Sequence, residues 1–304
     1  MTTNKRRRST TRGSTSTALA TLAGNNGSDI QRNAKKQKSN VKRKSHWSRP
    51  GVEAAARLAS LPISSSSNNI IANTIIQKSV TSWNTALQHY KAMIKAKGGT
   101  KLYNLDQQRD NIATQWRIDC RHNNGECEMT KDQLCNSIIP WKFLKGKPRN
   151  ALKPLLQSNK EGEVIEASKA AFKFADASIG NNKNDNVNYV KEAINSLCQL
   201  SGVGPATASA VLSAYCPQSF AFMDDEVIEC LYEAKRGYTL KIYMAVNDQC
   251  VDIAEELNKV DNNNSSSESD GGWTPADVAK SLWTVATMAA KGDNEGLGKV
   301  FGDK

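Results

Sequence analysis

No apolar run in this 304-residue chain approaches the roughly 20 residues that a bilayer-spanning helix requires, so the sequence reads as a soluble protein with no membrane partner. Nowhere do apolar and polar residues alternate with period two, which removes sheet from the expected architecture, and no segment repeats. Cysteine is present without a framework: seven residues, an odd number at irregular spacing, read as reduced thiols of an intracellular compartment. Cys120, His122, Cys127 and Cys135 fall near one another, but their spacing fits no common zinc finger, so no metal is expected. Acids are almost missing from the first fifty residues, where Asp29 stands alone.

That last absence locates the charge. Residues 1–50 carry 13 Lys and Arg, which leaves 28 basic and 29 acidic residues for the rest of the chain. The net charge of +11 therefore belongs to the first fifty residues, and the body is close to neutral. Any nucleic-acid contact made by the body must come from local geometry rather than from its overall field. Residues 1–69, rich in Ser, Thr, Asn, Lys and Arg, have too little apolar surface to bury and are expected to form a disordered basic tail. The clusters Lys5–Arg8, Lys35–Lys38 and Lys42–Lys44 have spacing that suits nuclear import and also loose phosphate binding. A plain solubilising tail and an organellar transit peptide are the competing readings.

Beyond residue 70 the apolar residues recur at helical steps. Ile76, Val80, Trp83, Leu87, Tyr90 and Ile94 alternate steps of four and three, a long helix that Gly98-Gly99 should stop. A second helix is expected over about 105–119, with Ile112, Trp116 and Ile118 facing inward. Thr130 and Gln133 form a capping box opening Lys131–Phe143, which Pro140 must kink or end. Further helices are expected over 163–177, 187–200, 205–215, 225–235, 240–259 and 275–290, the last opened by Thr274 and Pro275. Residues 261–272 read as a polar insertion.

Between the helices at 187–200 and 205–215 lies Ser201-Gly202-Val203-Gly204, too short for anything but a tight hairpin. Gly202 and Gly204 lack Cβ, so each can take a positive φ and let a phosphate approach the backbone. Val203 should point back to lock the helices, and Pro205 presets the first helical φ. The free N–H groups of the first turn that Pro205 opens, at Ala206 and Thr207, then present the positive end of a helix dipole to an anion. Such a cradle grips a backbone and reads no bases. The bland alternative is an ordinary packing corner with a glycine cap.

Leu200-Ser201-Gly202-Val203-Gly204-Pro205-Ala206-Thr207-Ala208 resembles the hairpin of the helix-hairpin-helix DNA glycosylase superfamily, which reads L-P-G-V-G-x-K-T-A. Phe220–Val227 resembles the strand-like entry, aspartate and following helix of that superfamily. Trp141–Lys147 and Ser158-Asn159 are similar to segments of a little-characterised eukaryotic glycosylase-like group. The likeness covers about 130–235. It implies an all-α, two-lobed helical domain over 70–300, with the hairpin motif at about 187–215, a cleft beside a catalytic aspartate, and duplex DNA as partner. In the superfamily the aspartate follows the lysine position by 18 or 19, and both Asp224 and Asp225 meet that count from Ala206. An ionised carboxylate under the sugar would stabilise the positive charge that develops as a flipped base leaves. Asp224 is equally well placed to be a plain helix N-cap.

The departures narrow the reading. Ala206 stands where lyase-competent members carry lysine, so imine chemistry at that site is excluded. No C-x6-C-x2-C-x5-C run follows, so no iron–sulfur cluster is expected. No cofactor is expected, apart from the monovalent cation that the resemblance allows at the hairpin. Lys142, Lys145, Lys147 and Arg149 cluster around Gly146, either as a second DNA contact or as a solvated connection. Trp116, Trp141, Phe220 and Phe222 could line a base pocket or simply pack. The expected protein is a nuclear, monomeric DNA-binding chain, a monofunctional glycosylase of base-excision repair. A non-catalytic module that keeps the hairpin is the alternative, and a protein-interaction domain with DNA binding confined to the tail is a third.

Overall fold

The computed structural model describes residues 50–63, 70–122, 126–179, 183–232, 237–262 and 272–303. All of them belong to one unit, Trp47–Lys304. The expectation for residues 1–49 lies outside the described residues. Among the described residues the regular structure is helical and no strand occurs, in keeping with the all-α reading. No helix among them is long and apolar enough to cross a membrane.

Described helical structure is present from Pro50, before the expected start at residue 70. Helix α1, Pro50–Ala59, buries Val52, Ala55 and Leu58, spaced three apart on one face. It lies so close to α12 (Pro275–Lys291) that a Cβ on Gly51 would stand 2.6 Å from the Ala286 carbonyl oxygen. Arg57 ties its end to the C-terminus, pairing with Asp303 at 2.6 Å and lying over the Phe301 ring at 4.0 Å. The tail reading of 50–59 failed because ten residues show too little of an apolar stripe to stand out beside a basic run.

Helices α2 (Ile70–Gln88) and α3 (Tyr90–His122) carry the periodic residues, with Ile76, Val80, Trp83, Tyr90 and Ile94 buried. The glycine pair breaks the helical path as expected, Gly99 at φ +64°, and α3 resumes to His122. Ile118 is exposed there, and the inward positions are instead taken by Asp106 and Arg109. Thr130 and Gln133 close their capping box on α4, Lys131–Gln133. Pro140 is accommodated by widening: Leu134–Ile138 is a π turn, after which α5 runs Ile139–Lys145 with Pro140 in its first turn. Then come α6 (Lys153–Ser158), α7 (Glu161–Ala177), α8 (Lys183–Leu197) and α9 (Pro205–Tyr215). The chain ends through α10 (Asp225–Leu231), α11 (Leu240–Asn262), α12 and α13 (Asn294–Phe301).

Helix α9 is buried on every side from Thr207 to Tyr215, so its small residues let α3, α5, α7 and α8 close around it. On α8 the expected inward Val187 is exposed, whereas Val190, Ile194 and Leu197 are buried. Residues 220–223 are extended but pair with no strand. Side chains serve two of their N–H groups, Asn247 Oδ1 accepting from Ala221 N at 2.7 Å and Ser209 Oγ from Met223 N at 3.1 Å, while Phe220 N donates to the Cys216 carbonyl at 3.2 Å. One apolar core runs from Ala55 to Val300 without interruption. Cys120 and Cys127 correct the reduced-thiol reading: they form a disulfide, with Cα atoms 4.8 Å apart across the end of α3.

Candidate nucleic-acid interface and its buried carboxylate

Three backbone hydrogen bonds build the turn between α8 and α9. Leu200 O accepts from Val203 N at 3.1 Å, and Gly204 O accepts from Thr207 N and Ala208 N at 2.8 and 2.9 Å. Ser201 is held from outside the hairpin: its N–H donates to Asn159 Oδ1 at 2.8 Å. Asn159 Nδ2 donates back to Ser201 O at 3.0 Å and also serves the carbonyls that end α6. Gly202 takes φ +76°, and a Cβ there would stand 3.0 Å from Leu155 Cβ and 3.2 Å from Leu156 N. Its glycine is required by α6 packing and by a left-handed backbone. Gly204 departs from expectation in the other direction: φ is −116°, with open space where a Cβ would stand. Val203 is buried, as its locking role required. Thr207 is buried too, so its side chain cannot reach a phosphate; its N–H is spent on the turn. Pro205 and Ala206 stay partly open, and α9 has no side-chain cap on its first N–H groups.

The basic segment splits. Lys147 and Arg149 are exposed, and Arg149 lies over the Tyr238 ring at 4.5 Å. Lys142 is half-buried, and burial, reinforced by Arg149, lowers its ammonium to about 8. Lys145 is no surface cation at all. Its side chain is 2% exposed and forms an ion pair with Asp224, itself 4% exposed. Its Nζ sits 4.0 Å from the Trp283 ring centroid and 5.1 Å from that of Phe222. The expectation of a DNA contact at Lys145 is therefore overturned. Ile138, Trp141 and Lys145 follow steps of three and four, so Lys145 rides the inward stripe of α5 and must find an acid inside.

Asp224 is the N-cap of α10 by backbone only: its carbonyl accepts from Ile228 N at 3.0 Å, and its carboxylate makes no cap bond. The carboxylate turns to Lys145, which engages Oδ2. Burial pushes Asp224 up to about 7, opposed by the Lys145 charge. Asp225, the first residue of α10, accepts from the Tyr238 hydroxyl at 2.5 Å.

Two small cavities flank Asp224. One, of about 10 Å³, is enclosed with Lys145, Trp141 and Phe222. The other, of about 30 Å³, brings together Lys142, Lys147, Arg149, Ala206, Asp224 and Asp225. Hairpin, basic segment and aspartates, far apart in sequence, thus meet at one place. A larger hollow of about 490 Å³, lined by Lys101, Phe143, Pro148 and Lys153, meets this site at Gly146. Trp116, Trp141, Phe220 and Phe222 are buried; Trp141 donates to Asp106 Oδ1 at 2.8 Å and packs on Phe222 at 4.9 Å. Sequence reasoning missed Lys145 as the partner of Asp224, Asn159 as the clamp on Ser201, and Tyr238. Only Lys145 left a signal, its place on the apolar stripe. Among the described residues no three His, Cys, Asp or Glu gather as a metal set.

The chain was compared with protein-family models, curated proteins and solved structures, and nothing in any of the three matched.

Proposed function

We propose that this chain binds duplex DNA through its helix-hairpin-helix and hydrolyses a base from the sugar with Asp224. The observation that carries the reading is the shared cavity: Asp224 lies beside Ala206 of the hairpin helix and beside Lys142, Lys147 and Arg149. A backbone gripped at the hairpin would pass over a carboxylate. A flipped nucleotide would set its sugar above Asp224, whose charge opposes the cation that forms as the base departs. Lys145 would hold that carboxylate ionised against burial, leaving Oδ1, which accepts no bond among the described residues. The carbonyls of Leu200, Ser201 and Gly204 already accept hydrogen bonds, and no step here uses a monovalent cation.

The test is base release, read after alkali, from duplexes carrying single uracil, alkylated, oxidised or mismatched bases. Asp224→Asn should abolish release and spare lesion binding, while Asp225→Asn, a partner of Tyr238, should cost less than tenfold. Release should climb as pH rises through about 7, because the ionised carboxylate is the active form. A second reading has its own observation: both cavities at Asp224 are small, at about 10 and 30 Å³, and its carboxylate is already paired. A non-catalytic binder would use Asp224 only to neutralise Lys145. Hairpin-dependent binding without release from any of these duplexes would select it.

A further inference from the structure

We propose that the hollow of about 490 Å³ bordered by α3, α5 and α6 is a binding site for a small carboxylate with an apolar chain. The chain would lie on the apolar wall and the carboxylate would meet Lys101 and Lys153. The inference goes beyond DNA binding and does not depend on it, for this hollow and the cavity beside Asp224 and Ala206 share Gly146 only.

The hollow follows from how the chain handles its prolines. The π turn Leu134–Ile138 widens the helix ahead of Pro140, and α5 stops at Gly146. The connection through Pro148 then leaves the helical path until α6 starts at Lys153. Side chains do not close the space that results. Ile139, Phe143 and Leu156 on its wall are buried, but Leu105, Pro140 and Leu144 are only half-buried. Protein interiors are close-packed, so a gap of this size is no ordinary packing void. It falls within the roughly 300–1,000 Å³ of sites that take one small molecule.

The polar lining sets the sign of the ligand. Lys101 and Lys153 both line the hollow and are both exposed, whereas no Asp or Glu lines it. Lys131, whose Nζ donates to Gln157 O at 2.8 Å, brings a third cation to a lining residue. The acids that act on the Cys135 thiol in this wall, Asp132 and Glu161, are engaged elsewhere. Asp132 accepts from Asn136 Nδ2 at 2.7 Å, and Glu161 accepts from Lys131 N at 3.1 Å. An apolar wall with ammonium groups at its edge suits a molecule with one apolar and one anionic end. The lysines offer point charges and no arginine joins them, so a single carboxylate fits better than a phosphate that calls for a forked donor.

The experiment titrates decanoate into the full chain by calorimetry, with decanol and decylamine as controls. Decanoate should bind about fivefold tighter than decanol, the scale of an ion pair near a surface, and decylamine should bind weakest. Saturating decanoate should slow iodoacetamide labelling of Cys135, mapped by mass spectrometry. Cys198 and Cys230, which do not line the hollow, should keep their rates. Lys101→Gln combined with Lys153→Gln should erase the preference for decanoate and leave decanol binding unchanged, a split that a damaged fold would not produce. Asn150→Trp, at an exposed lining position, should block both ligands with the circular dichroism spectrum intact. No decanoate uptake, or equal affinity for decanoate and decanol, overturns the inference. Uptake that leaves Cys135 unprotected is binding to the basic residues 1–50 and overturns it too. So does a double lysine variant that keeps the preference, or ligand binding that Asn150→Trp leaves untouched. If the double variant instead loses duplex binding and keeps decanoate, the lysines belong to DNA and the site is refuted.

Discussion

Lys145 and Asp224 show how one buried pair ties stability to pH. Each is costly alone in the core, and removing one partner of such a pair costs about 3–5 kcal/mol. The two deletions should differ in sign with pH. Lys145→Met leaves a carboxylate whose folded pKa, already raised by burial, rises further above its unfolded value. Stability is then lost as pH climbs, so the melting temperature should be lower at pH 8.5 than at pH 5.5. Asp224→Asn leaves an ammonium whose folded value burial has lowered. Its stability is lost as pH falls from the unfolded value toward the folded one, so this variant should melt lower at pH 5.5. Thermal melts of both at the two pH values check the pairing; parallel shifts would mean that the two groups do not neutralise each other. Replacing both by apolar residues of similar volume should recover most of the loss.

At the scale of elements, the hairpin's two glycines have different employments and should fail differently. Gly202→Ala forces a side chain into φ +76° and against Leu155 and Leu156, so it should cost about 1–2 kcal/mol in denaturant melts. Gly204→Val adds a branched Cβ into open space on an extended backbone, so it should fold normally. Under the proposed function it should weaken binding of all duplex sequences alike, because the added carbon would occupy the open space through which a phosphate would approach. Unchanged duplex binding by Gly204→Val would reduce the hairpin to a packing corner. Asn159→Leu should resemble Gly202→Ala, since it removes the amide that holds Ser201 to the end of α6.

For the whole molecule, the charge divides near residue 50, where the described helices begin. Residues 50–304 keep α1 and their near-neutral charge, so they should bind duplex DNA weakly with a shallow salt dependence. The full chain should show a steeper slope, each neutralised phosphate adding about 0.9 to the exponent. Equal slopes in filter-binding titrations would refute that division. A chain begun at residue 70 would strip α1 from α12, uncovering the partners of Val52, Ala55 and Leu58. It should lose about 3 kcal/mol or more against the chain begun at 50, measured by urea melts.

Local spacing determined a good deal here. The helices at 163–177, 205–215 and 275–290 could be placed within about two residues because caps and 3.6-residue periodicity are near-neighbour effects. The tight turn at Gly202-Val203-Gly204-Pro205 and the partition of charge followed from composition alone. Tertiary structure decided whatever depends on what covers a face. It put Lys145 against Asp224, 79 positions away, and Asn159 against Ser201, 42 positions away. It buried Thr207 on the far side of a helix whose amphipathic pattern is faint, and it drew α1 into the core. Periodicity states which side of a helix is turned inward, but the partner waiting there comes from another part of the chain, and only packing chooses it.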